Sequence, residues 1–143
     1  MRDIELEMKI QKSLNEGNNV WVVGDVHGFN QTLRSLVAKL DIKTGDYVVL
    51  LGDLIDRGPD SYDVIQFVKN SPYMATVKGN HEKMMAKVFS LSRLEKPDLR
   101  ISTWFYNGGL STATSYINAY TDSNGDENTQ ELHQAIERDK LWI

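Results

Sequence analysis

The chain has 143 residues, no cysteine, 16 basic against 20 acidic side chains for a net charge of −4, and 41% apolar residues. A disulfide framework and a thiol nucleophile are therefore excluded, and the charge offers no general footprint for nucleic acid or an anionic membrane. The length fits a single domain, 1–143, that buries about two thirds of its unfolded surface.

Met1 to Lys12 carries several acids and no apolar core of a signal peptide, and no run approaches a membrane span, so a soluble, cytoplasmic protein is expected. Residues 3–16 are rich in helix formers, although Ile4, Leu6, Met8 and Ile10 alternate with polar residues as in a strand; a helix is expected. Gly17-Asn18-Asn19 breaks it, and Val20 to Val23 reads as a buried parallel strand. From Asn30, the residues Leu33, Leu36, Val37 and Leu40 fall at i, i+3, i+4 and i+7, the stripe of a helix packed on a sheet.

Lys43 to Asp46 turns the chain into a second buried strand, Tyr47 to Leu51. Pro59 stands where the next helix is expected to begin, with Val64, Ile65 and Val68 facing inward until Ser71-Pro72 ends it. Met74 to Val77 supplies a third strand, and a helix through Phe89 turns Met84, Met85 and Val88 inward. Beyond Pro97 helical stretches follow, Leu99 to Tyr106, Ser111 to Ala119 and Asn128 to Lys140, separated by Gly108-Gly109 and the polar loop Thr121 to Glu127. The fold class is α/β with a parallel βαβαβ core and C-terminal helices.

Each strand runs into a loop rich in ligand atoms: Gly24-Asp25-Val26-His27-Gly28, then Gly52-Asp53-Leu54-Ile55-Asp56-Arg57-Gly58, then Gly79-Asn80-His81-Glu82. Asp25 to Asp53 is 28 positions (53 − 25) and Asp53 to Asn80 is 27 (80 − 53), about one strand-helix-strand unit of roughly 30 residues. That rhythm places all three loops on the rim at the carboxyl ends of the strands, where distant side chains meet around one ligand. Carboxylate, carboxamide and imidazole donors without thiolates suit a borderline-hard divalent ion such as Mn²⁺, Fe²⁺ or Zn²⁺. Singly, an Asp or His at a strand end is more often a cap or a surface residue; the conjunction of three such loops points to metal and phosphate.

In this order and spacing GDVHG, GDLIDRG and GNHE resemble the signature of the metal-dependent phosphoprotein phosphatases within the calcineurin-like metallophosphoesterases. Gly79 to Met85 and Trp104 to Gly109 are similar to segments of the phage and bacterial serine/threonine phosphatase branch, and the match covers roughly residues 19 to 110. The resemblance implies that Asp25 and His27 bind one ion, Asp53 bridges two, and Asn80 binds the second and reaches the phosphate. It further implies that Arg57 clamps the phosphate oxygens, for which a guanidinium fork is well shaped. His81 protonates the leaving alcohol and Asp56 holds its ring. The implied cofactors are two divalent ions, Mn²⁺ first and Fe or Zn next. The implied chemistry is hydrolysis by a hydroxide held between them, with no covalent enzyme intermediate.

The family completes its second metal site with two histidines and adds a second phosphate-binding arginine from the later half of its sandwich. After His81 the only histidine here is His133, read as a solvent-facing helix residue, so the resemblance implies a chain ending before that half. Three functions follow from the same residues. The leading one is hydrolysis of phosphoserine and phosphothreonine, with phosphotyrosine or a small phosphoester as further substrates. The second is the symmetrical diadenosine tetraphosphate hydrolase, although those enzymes usually carry Ala-Arg where this chain has Asp56-Arg57. The third is a metal-binding fragment that turns nothing over. Glu82 reads as a structural residue rather than a ligand, Trp104-Phe105-Tyr106 and Met84-Met85 as packing, and a local basic patch is expected around Arg57 and Lys78.

Overall fold

A computed structural model describes residues 4–89 and 97–142. Three short strands, β1 (Val20–Val23), β2 (Tyr47–Leu50) and β3 (Met74–Thr76), form one parallel sheet in that order, with β2 central. The register sets Val22 beside Val49 and Val49 beside Ala75. Helix α1 (Ile4–Asn15) precedes the sheet, α2 (Asn30–Lys39) and α3 (Ser61–Lys69) connect its strands, and α4 (Asn80–Phe89) leaves the last one. The expected βαβαβ core is therefore present. Next come α5 (Pro97–Trp104), a wide turn over Phe105–Gly109, α6 (Leu110–Ala119) and α7 (Thr129–Trp142). Gly108, at φ 102°, breaks the helical path between α5 and α6 where glycine was expected to do so.

The core gathers on the helix-covered side of the sheet. Leu33 and Val37 of α2, Val48 and Leu50 of β2, Val64, Ile65 and Val68 of α3, Met85 of α4, Trp104 and Tyr116 form one buried cluster. Period-3.6 stripes on the helices and a central strand buried on both faces are what produce it. Helix α7 is joined to it through Asp139, a buried carboxylate that accepts from Lys69 Nζ (2.8 Å), Tyr116 OH (2.9 Å) and Gln66 Nε2 (3.0 Å). Burial and the Asp139 charge push the Tyr116 hydroxyl far above the usual tyrosine range, so it stays a donor.

Several expectations are corrected. Strand β1 is not buried: among the described residues it has a neighbour on one side only, and Val22 is 62% exposed. An edge position removes half the cover that a central strand receives, which periodicity alone does not register. Leu36 is 40% exposed and outside the core, whereas Leu33 and Val37 of the same stripe are buried and Leu40 packs partly buried against the core. Pro59 precedes the helix it was expected to open, since α3 begins at Ser61 after Asp60. Tyr106 lies exposed beyond the end of α5. Thr121 and Glu127, at the ends of the polar loop, close it as an isolated antiparallel bridge. No helix among the described residues is long and apolar enough to cross a membrane.

Candidate metal centre

The three loops are laced together by their own backbones before any side chain is considered. Val26 N–H and His27 N–H both donate to Asp53 O (3.0 and 2.9 Å), Gly28 N–H donates to Leu54 O (2.8 Å), and Gly58 N–H returns to His27 O (2.8 Å). A side chain at Gly58 would strike the His27 carbonyl, which is why the second loop needs glycine where it crosses the first. Four residues without that freedom take positive φ in these loops: His27 at 48°, Asp53 at 50°, Asp56 at 72° and Arg57 at 69°. Each such residue costs on the order of 1 kcal/mol or more and persists only where its surroundings over-determine it.

Glu82 supplies much of that determination. Its buried carboxylate, presented by the first turn of α4, accepts from Leu54 N–H through Oε1 and from Asp53 N–H and Gly79 N–H through Oε2, each at 2.8 Å. The second and third loops are thus tied to one side chain. The structural reading of Glu82 holds.

On this frame His27, Asp53 and His81 bring ligand atoms within 4.8 Å of one another. His27 Nδ1 lies 2.9 Å from Ile55 O, an atom that can only accept, so Nδ1 carries the hydrogen and Nε2 keeps its lone pair. That tautomer is the one a metal requires, with the outer nitrogen held by a carbonyl. Asp53 Oδ1 accepts from His81 N–H at 3.0 Å, which leaves its other oxygen for the rim. One lone-pair imidazole and one carboxylate converging on a point fit a borderline divalent ion.

The remaining sequence-predicted residues are placed differently. Asp25 has a side chain 65% exposed and reaches the cluster at His27, its Oδ2 standing 3.6 Å from Nε2. Asn80 is exposed at the first position of α4. Arg57 reaches across both imidazoles: Nη1 donates to His27 Nε2 at 2.7 Å and Nη2 to His81 Nε2 at 3.2 Å, the two rings meeting edge to face with centroids 4.7 Å apart.

His81 is buried, and its Nδ1 lies 2.7 Å from Asp56 Oδ2. Asp56 is completely buried and has other partners that the sequence did not disclose. Trp104 Nε1–H donates to both carboxylate oxygens (3.1 and 3.0 Å) and Thr112 Oγ1–H to Oδ1 (2.7 Å), while Asp56 N–H donates to Thr112 Oγ1 at 2.8 Å. Trp104 was read as packing, and it does pack; its indole nitrogen is also a support for Asp56. Partners 48 and 56 positions away leave no spacing signal. Arg57 N–H in turn donates to Gly108 O at 3.1 Å, so the helices after residue 97 hold this loop in place. His133, by contrast, is exposed on α7 as expected.

A sequence model of the calcineurin-like phosphoesterases matches residues 19–143. The chain is similar to serine/threonine-protein phosphatase 2 of Escherichia coli K12, 44% identical over 72 residues that make up 50% of this chain and 33% of the relative. Serine/threonine-protein phosphatase 1 of Salmonella typhimurium is 38% identical over 112 residues, 76% of this chain and 46% of the relative. The symmetrical bis(5'-nucleosyl)-tetraphosphatase of an Enterobacter species is 38% identical over 86 residues, 59% of this chain and 30% of the relative. The chain spans less than half the length of these relatives.

Proposed function

The chain belongs to the calcineurin-like phosphoesterase family, and on that footing we propose that its three-loop rim is the metal- and phosphate-holding part of a phosphoester hydrolase acting on phosphoserine and phosphothreonine in proteins. The observation that carries this reading is the convergence of a donor-only guanidinium, Arg57, and a carboxylate-held imidazole, His81, on the point faced by His27 Nε2 and Asp53.

Under this reading His27 and Asp53 would hold a divalent ion, to which Asp25 would add an oxygen from the rim, and Asn80 would serve a second ion together with Asp53. Such ions, Mn²⁺ by choice, supply a lowered water pKa and neutralise charge on the phosphoryl oxygens. Arg57 binds two of those oxygens through parallel N–H bonds. His81 keeps Nδ1–H on Asp56, so Nε2 is the nitrogen that would carry the proton a leaving alkoxide needs. Trp104 and Thr112 keep Asp56 from turning away.

A second reading, a symmetrical dinucleoside tetraphosphate hydrolase, is favoured by the relatives that bear that name at 36–38% identity. Asp56 beside Arg57 favours the protein phosphatase. The test is Mn²⁺-dependent turnover of a phosphoserine peptide and of diadenosine tetraphosphate by this chain and by Asp53→Asn. Peptide turnover lost in the variant supports the first reading, and preference for the dinucleotide supports the second. Bound Mn²⁺ with no turnover of either leaves a metal-binding unit and refutes both.

A further inference from the structure

We infer that Arg57 is a latch on the metal site: its guanidinium and the divalent ion compete for the His27 Nε2 lone pair, so ion binding releases Arg57 toward phosphate. The inference rests on the assignment of His27 and Asp53 as metal-holding residues and goes beyond it.

The argument is one of valence. His27 has its Nδ1 hydrogen committed to Ile55 O, so Nε2 has a single in-plane lone pair, and Arg57 Nη1–H occupies it at 2.7 Å. That lone pair can serve the guanidinium or an ion, never both. His81 repeats the arrangement, with Nδ1 on Asp56 and Nε2 accepting from Arg57 Nη2 at 3.2 Å. The fork of the guanidinium spans the two nitrogens with two separate, fixed N–H groups, whereas an ammonium must reach both from one nitrogen on a flexible stem.

What can move is limited to the side chain. The Arg57 backbone is fixed at φ 69°, its N–H bonded to Gly108 O and its Cα packed close to Gly108. The residue itself is exposed, so the side chain can swing out without disturbing the core. Nη1 then becomes free as the ion arrives, Nη2 is left with only the longer 3.2 Å bond to His81, and a phosphate oxygen pair can take both donors. By linkage, any phosphate that holds Arg57 away from the imidazoles raises metal affinity by the same factor that metal raises phosphate affinity. The rim binds its two ligands cooperatively through one side chain.

The test is calorimetric titration of Mn²⁺ alone, without phosphate, into the full chain as wild type, Arg57→Gln and Arg57→Lys. Loss of a charge-assisted bond to His27 is expected to tighten Mn²⁺ binding about tenfold in Arg57→Gln. Arg57→Lys keeps the charge but lacks the planar fork that holds both rings, and is expected to tighten binding by a smaller factor. If Arg57 acts by charge repulsion alone, Arg57→Lys binds as wild type does, and the latch is overturned. A second measurement needs no variant: on titrating diamagnetic Zn²⁺ into wild type, the Arg57 Nε–H resonance is expected to shift in step with the loss of the His27 Nε2 hydrogen bond. An Arg57 signal that stays put while Zn²⁺ saturates overturns the latch but leaves the metal assignment standing. No binding of either ion overturns both.

Discussion

Replacing Glu82 by glutamine probes how the rim is held, because the change keeps the shape of the side chain and alters only its hydrogen-bonding capacity. The carboxylate receives three backbone donors at 2.8 Å, from Asp53, Leu54 and Gly79. A carboxamide has one oxygen. Its best placement keeps that oxygen at the position shared by Asp53 and Gly79 and turns NH₂ toward Leu54 N–H, donor against donor in a fully buried place. An unsatisfied buried donor costs about 1–3 kcal/mol, and the two surviving bonds fall from charged to neutral strength, about 0.5 kcal/mol or more each. The smaller desolvation of an amide offsets part of this. The net expectation is a loss of about 2–3 kcal/mol, a large share of the 5–15 kcal/mol typical of a domain. With a urea m-value of about 2 kcal/mol/M the unfolding midpoint drops by about 1–1.5 M. Mn²⁺ affinity falls as well, because the bond that fixes the Asp53 backbone at positive φ weakens to neutral strength and the adjacent Leu54 N–H loses its acceptor. A midpoint within about 0.2 M of wild type would refute the reasoning, since three donors cannot share one oxygen without cost.

Mn²⁺ at about a hundred times its Kd is expected to stabilise the wild-type chain by about 2.7 kcal/mol and to leave Asp53→Asn unchanged, a contrast read by thermal unfolding with and without the ion. Trp104→Phe keeps a ring in the core but removes the Nε1–H that reaches Asp56, and is expected to cost about 1–2 kcal/mol in the same assay; a melting temperature equal to wild type would mean that the indole only packs. Asp46 is held below the usual carboxylate range by the backbone N–H groups of Lys43 and Asn19. Because its folded pKa is the lower one, its stabilisation is complete above the unfolded value of about 3.9 and is lost as pH falls through the folded value. Asp46→Asn is therefore expected to have a lower urea midpoint at neutral pH, with the gap to wild type closing below about pH 4; a gap independent of pH would contradict the assignment.

Local chemistry wrote most of the scaffold into the chain. The inward stripe of Val64, Ile65 and Val68, the glycines at each strand end and the recurrence of Asp25, Asp53 and Asn80 near 28 residues are all short-range facts, and the parallel core follows from them. The donor types in the loops also pointed toward metal and phosphate, since carboxylate, carboxamide and imidazole at strand ends have few other joint uses. Spacing could not say which residues would converge. Asp25 and His27 are two positions apart, yet one side chain is exposed and the other buried, because backbone bonds to Asp53 turn the first loop inward at His27. Likewise Leu36 satisfied a helical period without being covered, and Val22 satisfied a strand pattern at a sheet edge.

What belonged to tertiary structure alone was the set of contacts between distant parts of the chain: Glu82 clamping two loops, Trp104 and Thr112 holding Asp56, Gly108 fixing Arg57, and the guanidinium lying across both imidazoles. Sequence periodicity reports which face of an element is apolar, a property of one element at a time. A hydrogen bond between residues 48 or 56 positions apart depends on where two elements come to rest against each other. Packing settles that, and packing is a property of the whole fold.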